Sequence, residues 1–487
     1  MLRRRGVPVG EAARRYDAVV VGAGPNGLGA AITLARAGRS VLVVEARSTV
    51  GGGTRSAALT LPGFIHDVCS AVHPLGRASP VFGEWPLAEH GLEWIEPPVA
   101  IAHPLDDGSA ALVHRSLDAT AASLGHDGDR YLRLFGPVAR DWDLIARELL
   151  GPLRVGGPLR HPFALGRFGL GALQPATWLA RRFRTPQARA LLGGVAAHSF
   201  LQLDRPITGA FALTLLGSAH AVGWPIPSGG SQRIADALAS YLRSLGGEIE
   251  TGTDVSSLDA LPPSRAVLLD LTPRQVLRLA GPRLGGVYRR QLRGYRYGPG
   301  VFKIDLAMDG PIPWANPALL QAGTVHLGGT MDELVEAERS VAHGRPAGRP
   351  FVLVSQPSLF DPSRAPDGKH VVWAYCHLPN GSRADMTDAI LGQLERFAPG
   401  IGSRILGRST LGPAALEKYN ANYVGGDING GMQDLWQLWT RPAIRLDPYS
   451  TPDPSLFICS SSTPPGGGVH GLCGYHAAQS ALRGVLR

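Results

Sequence analysis

Three glycines in the order Gly22-x-Gly24-x-x-Gly27 have the type and spacing that suit them to bind phosphate groups. Gly22 allows a sharp backbone turn, Gly24 has no side chain to block a pyrophosphate, and Gly27 lets a helix pack closely on a strand. A carboxylate, Glu45, follows 18 residues after Gly27, near the offset at which an acid accepts a ribose 2′-hydroxyl. These residues predict a dinucleotide site with the pyrophosphate at the positive end of a helix. An unmodified hydroxyl on the ribose suits FAD or NAD rather than NADP.

The elements that must position these residues are visible in the same stretch. The β-branched run Val19–Val21 predicts a buried strand that leads into the glycines. Ala30–Ala37 predicts a helix that ends at Gly38, and Val41–Val44 predicts a second strand that delivers Glu45. The alternative is an ordinary strand–helix–strand unit whose glycines serve packing alone.

A second group of glycines, Gly51–Gly53, follows the second strand and leads into Thr54 and Arg55. The whole spacing resembles the extended FAD fingerprint of flavin amine oxidases, protoporphyrinogen oxidases and phytoene desaturases. For Arg55, the alternative is a solvated surface side chain. The resemblance implies FAD as cofactor and the following contact residues: Gly22, Gly24, Pro25, Asn26, Gly27, Glu45, Ala46, Gly52, Gly53, Thr54 and Arg55.

A similar strand, glycine loop and helix occur near residue 460. Leu456–Cys459 predicts a short strand, Gly466–Gly468 a glycine loop, and Tyr475–Leu486 a helix. This stretch closely resembles the C-terminal flavin motif of phytoene dehydrogenase-like proteins, and the alternative is a surface turn before a helix. A helix N-terminus there would favour the negative charge of a reduced flavin. The resemblance implies that the flavin contacts Gly467, Gly468, Val469 and His470.

Composition excludes several classes of protein. The chain has 487 residues, 44% hydrophobic and 18% charged, which is typical of a large globular protein. Its net charge is +9, but the arginines are scattered and form no basic stripe with aromatic residues, so nucleic-acid binding is not expected. No cysteine pair has C-x-x-C spacing, and no cysteine–histidine group has the spacing of a zinc site.

Membrane and targeting signals are weak. No run approaches 18 apolar residues, and the arginine-rich start lacks an apolar segment typical of a signal peptide, so we expect a cytoplasmic protein. The stretch 151–185 mixes arginine, glycine, proline and large apolar residues, including Leu153 and Trp178. Such a segment suits peripheral contact with a membrane. The alternative is an irregular loop over a substrate cavity.

The rest of the chain is expected to alternate between two domains, giving an α/β protein. A Rossmann-like FAD-binding domain is predicted from 16–75, 223–290 and 441–487, and a substrate domain with a mostly antiparallel sheet and helices from 76–222 and 291–440. Helical patterns occur near 116–150 and 174–220. In the resembling families, a valine at the place of Val255 contacts the adenine through its backbone.

The shorter elements predicted between these motifs have the following bounds. Helices are predicted at Ser231–Leu245, Thr387–Phe397 and from Pro273; strands are predicted at Glu248–Thr251, Ala266–Leu271, Val301–Met308, Val352–Gln356 and His370–His377.

Lys303 carries a catalytic hypothesis that comes from resemblance. In flavin amine oxidases, a lysine on a strand of the substrate-domain sheet holds a water against the flavin. Lys303 lies on the predicted strand Val301–Met308, and the phrase Asp309–Trp314 that follows is typical of phytoene dehydrogenase-like proteins. The alternative is a strand lysine that reaches solvent. The segments 69–75 and 420–431 resemble a subgroup named after the pyridine nucleotide-disulphide oxidoreductase domain.

Candidate general bases are His73, His470, His476 and Asp427, of which His470 has the best case because it lies in the glycine loop. The expected reaction is removal of a hydride from a C–H bond of a largely apolar substrate, with reoxidation of the flavin by dioxygen, a quinone or another acceptor. Three alternatives remain: amine oxidation, redox-neutral isomerisation of a polyene, and a non-catalytic interaction protein that retains FAD. Amine oxidation would need an aromatic cage, for which the candidates are Tyr419, Tyr423, Trp436 and Trp439.

Overall fold

The computed structural model describes residues 15–152 and 161–487. The strands, in chain order, are β1 (Tyr16–Val21), β2 (Val41–Glu45), β3 (Ser56–Ala57), β4 (His66–Asp67), β5 (Trp94–Ile95), β6 (Val99–Pro104), β7 (Ala110–Val113), β8 (Ile226–Pro227), β9 (Glu248–Thr251), β10 (Ser264–Leu269), β11 (Gly300–Met308), β12 (Ala322–Leu327), β13 (Val352–Ser355), β14 (His370–Leu378), β15 (Ile405–Leu411) and β16 (Leu456–Ile458).

The α-helices of the same residues, in chain order, are α1 (Pro25–Arg36), α2 (Pro74–Arg77), α3 (Pro80–Glu84), α4 (Leu117–Ser123), α5 (Gly128–Arg140), α6 (Trp142–Leu149), α7 (Pro162–Ala172), α8 (Ala176–Ala180), α9 (Pro186–Ala196), α10 (Thr208–Ala221), α11 (Gln232–Ser244), α12 (Pro273–Ala280), α13 (Gly286–Arg293), α14 (Met331–Ala342), α15 (Thr387–Phe397), α16 (Pro413–Tyr419), α17 (Leu435–Thr440) and α18 (Leu472–Arg483).

A parallel sheet forms the first layer, in the strand order β16-β10-β1-β2-β9. Its central strands are apolar on both faces because helices cover both sides, as is usual for parallel sheets. On one face, α1 packs against both α11 and α18. This arrangement confirms the predicted Rossmann-like fold, in which strands from three separated parts of the chain share one sheet.

A larger sheet has the order β15-β11-β14-β13-β12-β6-β7, and all neighbours are antiparallel except β12 and β6. Alternate residues of its strands, such as Ile304, Leu306 and Val372, form a core with α15. The residues between them, including Trp373 and Tyr375, face the other way, toward the first layer. The predicted mostly antiparallel sheet is therefore confirmed.

Helices α4 to α6 and α8 to α10 lie in the two predicted helical stretches, and α5 and α9 both pack on α10. Helix α7 lies between these stretches and begins at Pro162, which suits a first helical position, so for the described part of 151–185 the alternative of an irregular loop is wrong. Two helices begin three or more residues before their predicted starts. Helix α1 begins at Pro25 rather than near Ala30, because proline is well suited to the first helical position and its missing N–H costs nothing there. Helix α18 begins at Leu472 rather than Tyr475. The predicted domain boundaries stay predictions.

Within 15–152 and 161–487, no helix combines the length and the apolar character that crossing a membrane would require. The arginine-rich start of the chain, apart from Arg15, lies in residues 1–14, which are outside the described residues. Leu153 of the stretch 151–185 also lies outside them, in residues 153–160.

Candidate functional site

The first turn of α1 forms a site for an anion. Gly24 occupies the N-cap position without a side-chain cap, so the positive end of α1 is open to a ligand, although the N–H of Gly27 already donates to Asp270. The side chain of Asn26 is buried in the same turn, and its Oδ1 has no hydrogen-bond partner among the described residues. A negatively charged group placed here would meet the positive end of the helix, and Oδ1 of Asn26, which can only accept, would pair with a hydroxyl of the ligand or a water.

The glycines of this turn are needed because the backbone packs so closely. A Cβ on Gly27 would lie 2.0 Å from the carbonyl oxygen of Gly22, and one on Gly24 would lie 2.8 Å from Oδ2 of Asp270. Gly22 has a φ of +104°, which an L side chain rarely adopts. The space for a pyrophosphate thus exists because these positions have no side chains, as the spacing predicts.

Glu45 lies at the end of β2, and its carboxylate fixes the loops around it. Oε2 accepts a hydrogen bond from the N–H of Ala23 at 2.8 Å, and Oε1 accepts from the N–H of Arg47 at 2.9 Å. The Arg55 guanidinium donates to Oε1 at 3.1 Å. Arg55 is only 8% exposed, so the alternative of a solvated surface arginine is wrong. Glu45 also lines the cavity described below, where its remaining lone pairs can accept a ribose hydroxyl.

Asp270 is a site residue that the sequence analysis missed. It follows β10, and its Oδ2 accepts a hydrogen bond from the N–H of Gly27 at 3.0 Å. Burial raises the pKa of this carboxyl to about 7, and the nearby charge of Glu45 acts in the same direction. The signal was an acid at the end of a predicted strand, but only the pairing of β10 with β1 brings it to the glycines.

The second glycine loop meets the first at the ends of two helices. Helix α18 packs so closely on α1 that a Cβ on Gly474 would lie 1.7 Å from the backbone oxygen of Asn26. Gly468 and Val469 of this loop line the same cavity as Gly24 and Asn26. The structure therefore brings together the two motifs that the sequence analysis singled out.

His470 stabilises this loop from behind. It is fully buried, and its Nδ1 accepts a hydrogen bond from the N–H of Leu472 at 3.1 Å. Burial lowers the pKa of the imidazole to about 4, so it is neutral near pH 7. His470 and Gly467 do not line the cavity. A direct catalytic role for His470 stays a prediction.

A cavity of about 660 Å³ joins both loops to the larger sheet. At one end it meets Glu45 and Val255, at its middle the first turn of α1, and at the other end the sheet face that carries Trp373. The predicted contact residues that line it are Gly22, Gly24, Pro25, Asn26, Glu45, Ala46, Gly52, Gly53, Thr54, Arg55, Val255, Gly468 and Val469. Gly27 acts behind the lining, through its packing on Gly22.

Lys303 lies on β11, outside the cavity lining. It is 2% exposed and forms a buried ion pair with Asp305, so the alternative of a lysine that reaches solvent is wrong. Oδ1 of Asp305 lies 3.5 Å from Nδ1 of His66, so Lys303, Asp305 and His66 form a row of buried polar side chains. The hypothesis that Lys303 serves the flavin stays a prediction.

The end of the cavity that faces the larger sheet is apolar and aromatic. Leu215, Trp224, Leu353, Trp373 and Tyr375 line it. The described residues that line this end include no Asp, Glu, Lys or Arg, and the charged side chains of the lining lie at the dinucleotide end: Glu45, Arg47, Arg55, Asp254, Asp270 and Arg278.

His73 is the candidate base that lines this cavity. Ser231 donates its hydroxyl proton to the backbone oxygen of Ser70 at 2.7 Å, so Nε2 of His73 must donate to Ser231 across 2.8 Å. Nδ1 of His73 therefore carries a lone pair. Burial lowers the pKa of this imidazole to about 4, which keeps it neutral near pH 7.

The other candidates lie elsewhere. Both oxygens of Asp427 accept backbone N–H groups, those of Gly298 and Asn429 at 2.8 Å each, and neither Asp427 nor His476 lines the cavity. Trp436 and Trp439 are exposed, so the prediction that they help to form an aromatic cage is wrong. Tyr419 and Tyr423 do line the cavity, beside Gly52 and Gly53.

All four cysteines are free and buried.

Comparison with known proteins agrees with this geometry. A model of the NAD(P)-binding Rossmann-like domain matches residues 20–84. Pyridine nucleotide-disulfide oxidoreductase domain-containing protein 2 of Rattus norvegicus is 28% identical, over 96% of this chain and 93% of that protein. Phytoene dehydrogenase of Streptomyces griseus is 27% identical, over 80% of each chain. The chain is related to the phytoene dehydrogenase-like oxidoreductases. This confirms the resemblance that the two glycine motifs indicate.

A solved structure of putrescine oxidase bound to putrescine has the same fold, with a TM-score of 0.60 at 17% identity. The alignment covers 96% of this chain and 98% of that one. At this identity, the match shows that the two proteins share a fold, and it carries no information about the substrate of the present chain.

Proposed function

We propose that this protein is an FAD-dependent oxidoreductase that removes a hydride from a C–H bond of a neutral, largely apolar substrate. The observation that carries the proposal is the single cavity that joins the dinucleotide cradle to an uncharged aromatic chamber. A substrate in that chamber would lie next to whatever part of the dinucleotide extends past the first turn of α1. Its relation to a phytoene dehydrogenase supports the same class of reaction.

The residues present fit FAD. The open positive end of α1, where a Cβ on Gly24 would fill the space, suits the pyrophosphate region, Glu45 suits a ribose, and the backbone at Val255 suits the adenine. The N-terminal end of α18 would then lie near the flavin ring and favour negative charge there. When bound, FAD supplies an acceptor for a hydride.

The protein's own contribution to the reaction is to orient the substrate and exclude water. The buried side chains of Trp224, Leu353 and Trp373 and the partly buried Leu215 surround the chamber and hold an apolar molecule in a fixed place. His73 offers a neutral nitrogen with a lone pair that can accept the proton released in forming a double bond.

The charge of the lining favours a neutral substrate over an ammonium substrate. A cationic amine buried in the chamber would meet no carboxylate among the described residues at that end. Burying an unpaired charge is costly, so an amine oxidase with this lining would have to bind the neutral amine. For this reason we propose C–H oxidation rather than amine oxidation.

The proposal is tested with the purified full chain. We expect a yellow protein with the absorption of oxidised flavin at about 450 nm, which bleaches on anaerobic mixing with an apolar alcohol or alkene. Bleaching with amines alone would instead identify an amine oxidase, and product without bleaching would identify an isomerase. A colourless protein that does not take up added FAD would overturn the proposal.

We also propose that the protein contacts a membrane through an exposed apolar surface on α7 and α8. Phe163, Leu170 and Trp178 are exposed there, and Arg181 and Arg182 follow directly. Large apolar side chains beside arginines suit a surface of anionic lipid. Helix α10 packs against α7 and carries Leu215 into the chamber, so this surface lies behind the wall of the proposed substrate site.

A further inference from the structure

Trp373 carries a hydrogen-bond donor that the protein leaves unused. Its side chain lines the aromatic end of the cavity and is 5% exposed, and its buried Nε1–H has no partner among the described residues. A buried donor without an acceptor destabilises the protein, so such a group is expected to pair with an ordered water, an ion or a ligand.

The neighbouring tryptophan shows that this is a property of one position. Trp224 also lines the cavity, but its Nε1–H donates to Oγ1 of Thr324 at 2.8 Å. The two indoles thus belong to the same chamber and differ in whether the protein itself supplies the acceptor.

Tyr375 lies beside Trp373 on the same face of β14. The centroids of the two rings are 5.1 Å apart, and the rings are nearly perpendicular. Burial raises the pKa of the Tyr375 phenol, which therefore stays protonated and can donate as well as accept. Two alternate residues of one strand thus place a donor and a phenol next to each other at the wall of the cavity.

Charge limits what these groups can bind. The described lining of this end has no arginine or lysine, and Lys303 on the adjacent strand is already paired with Asp305. A carboxylate or phosphate would have no counter-charge, and an ammonium group is itself a donor and cannot satisfy the indole N–H. The group that fits is an uncharged oxygen.

We propose that Trp373 and Tyr375 form a subsite for one uncharged hydroxyl or carbonyl oxygen of an otherwise apolar substrate. This inference rests on the proposed function, because it assigns the aromatic end of the cavity to the substrate. It predicts that the substrates are lipid-like alcohols or ketones and excludes pure hydrocarbons as the preferred class.

The test measures equilibrium binding to the FAD-loaded protein, with four probes of equal chain length: 1-octanol, 2-octanone, octane and octylamine. Perturbation of the flavin absorption reports binding without turnover. We expect the alcohol or the ketone to bind on the order of tenfold more tightly than octane, the usual effect of one hydrogen bond to a buried donor. A preference below threefold, or no binding of either oxygenated probe, would overturn the subsite.

Variants assign the preference to the indole. Trp373→Phe keeps an aromatic ring and removes the N–H, and it is expected to reduce the preference for 1-octanol over octane to near unity at normal FAD content. The matched control is Trp224→Phe, whose lost N–H already had a partner in Thr324, and which should keep the preference. Retention of the full preference in Trp373→Phe contradicts the proposal.

A second variant covers the case in which Trp373→Phe does not fold. Tyr375→Phe removes the adjacent hydroxyl and should lower the preference for the oxygenated probes several-fold, and an unchanged preference in this variant counts against the subsite. Normal FAD content with no oxygen preference refutes only the subsite, whereas failure to bind FAD refutes the proposed function itself.

Discussion

Asp270 places a proton-binding group directly on the glycine turn. Its carboxyl is buried, it holds the N–H of Gly27, and its pKa in the folded protein is about 7. The ordinary value for an unfolded chain is 3.8, so the folded protein holds this proton more tightly. The stability that this proton provides is complete below about pH 4 and is lost as the pH rises through about 7.

The first prediction follows from this sign. Asp270→Asn keeps an oxygen that can accept the N–H of Gly27 and removes the buried charge. At pH 8.5 we expect the variant to be more stable than the native protein by on the order of 2–4 kcal/mol in unfolding free energy, and therefore to unfold at a higher temperature. At pH 4.5 we expect little difference in stability between the two proteins. Thermal unfolding followed by circular dichroism at both pH values measures the effect.

The control for this variant is Asp259→Asn, which changes an exposed carboxylate. It should unfold as the native protein does at both pH values. A gain for Asp270→Asn that is equal at the two pH values would show that charge at this position has no part in stability.

Residues of this kind explain part of what the sequence could and could not predict. The glycines and Glu45 are recognisable because their spacing is local and each serves one known geometry. Asp270 is 243 residues from the N–H that it holds, so only strand pairing reveals its role. His470 was placed in the correct loop, but its burial outside the lining depends on distant neighbours such as Ser79, whose hydroxyl donates to the backbone oxygen of His470 at 2.7 Å.

Among the elements, the contact between α1 and α18 controls how the two glycine loops meet. The second prediction concerns Gly474→Ala, whose added methyl group would overlap the backbone oxygen of Asn26 at 1.7 Å. Because backbone on both sides is rigid, we expect α18 to move away and the affinity for FAD to fall at least tenfold. Titration of the apoprotein with FAD, followed by flavin fluorescence, measures the loss.

Gly392→Ala is the matched control, since Gly392 is also a helical glycine and a Cβ there meets nothing within 4 Å. This variant should bind FAD normally and gain up to about 1 kcal/mol of stability, because alanine favours a helix. Equal FAD affinity in both variants would mean that the contact between the helices does not position the second loop.

Strand β11 carries the third prediction, which concerns Lys303. Lys303→Met leaves the carboxylate of Asp305 buried without its partner, and we expect a loss of about 3–5 kcal/mol in unfolding free energy. If the lysine serves the flavin, reoxidation of the reduced protein by dioxygen should also slow. Stopped-flow absorption measures the reoxidation rate.

The double variant Lys303→Met with Asp305→Leu separates the two effects. It removes both charges and should recover most of the stability, because apolar residues can replace a buried ion pair. Slow reoxidation that persists in this double variant supports a role for the lysine. Reoxidation at the native rate in both variants would end the hypothesis.

Element positions were predictable where the pattern is periodic and the boundaries are marked. Strand β9 and helix α15 have the bounds predicted, and β14 and α11 differ by a residue at one or both ends. The start of α1 was not found, because Pro25, Asn26 and Gly27 favour a turn when read alone, whereas tertiary packing continues the helix through them.

At the scale of the whole molecule, the exposed surface of α7 and α8 is the feature that sequence could suggest but not delimit. The fourth prediction concerns the double variant Phe163→Ser and Leu170→Ser. Native protein should co-sediment with vesicles of phosphatidylglycerol and less with vesicles of phosphatidylcholine, and the variant should lose most of this binding.

Val287→Ser is the control, since Val287 is equally exposed but lies on α13. It should co-sediment as the native protein does. If native protein stays in the supernatant with both kinds of vesicle, the proposed membrane contact is refuted, while the proposed chemistry is unaffected.

The parallel sheet also has a consequence for biosynthesis. Strand β16 joins β10 at one edge, and the second glycine loop directly follows β16, so the cradle needs residues that the ribosome makes more than 400 positions after Gly27. A nascent chain that has emerged only as far as β15 therefore lacks Gly468 and Val469 of the cavity lining, and it lacks helix α18, which packs on α1. If the proposed FAD site is correct, we expect a chain stopped there on the ribosome to remain colourless, because FAD would bind only after the second loop has been translated.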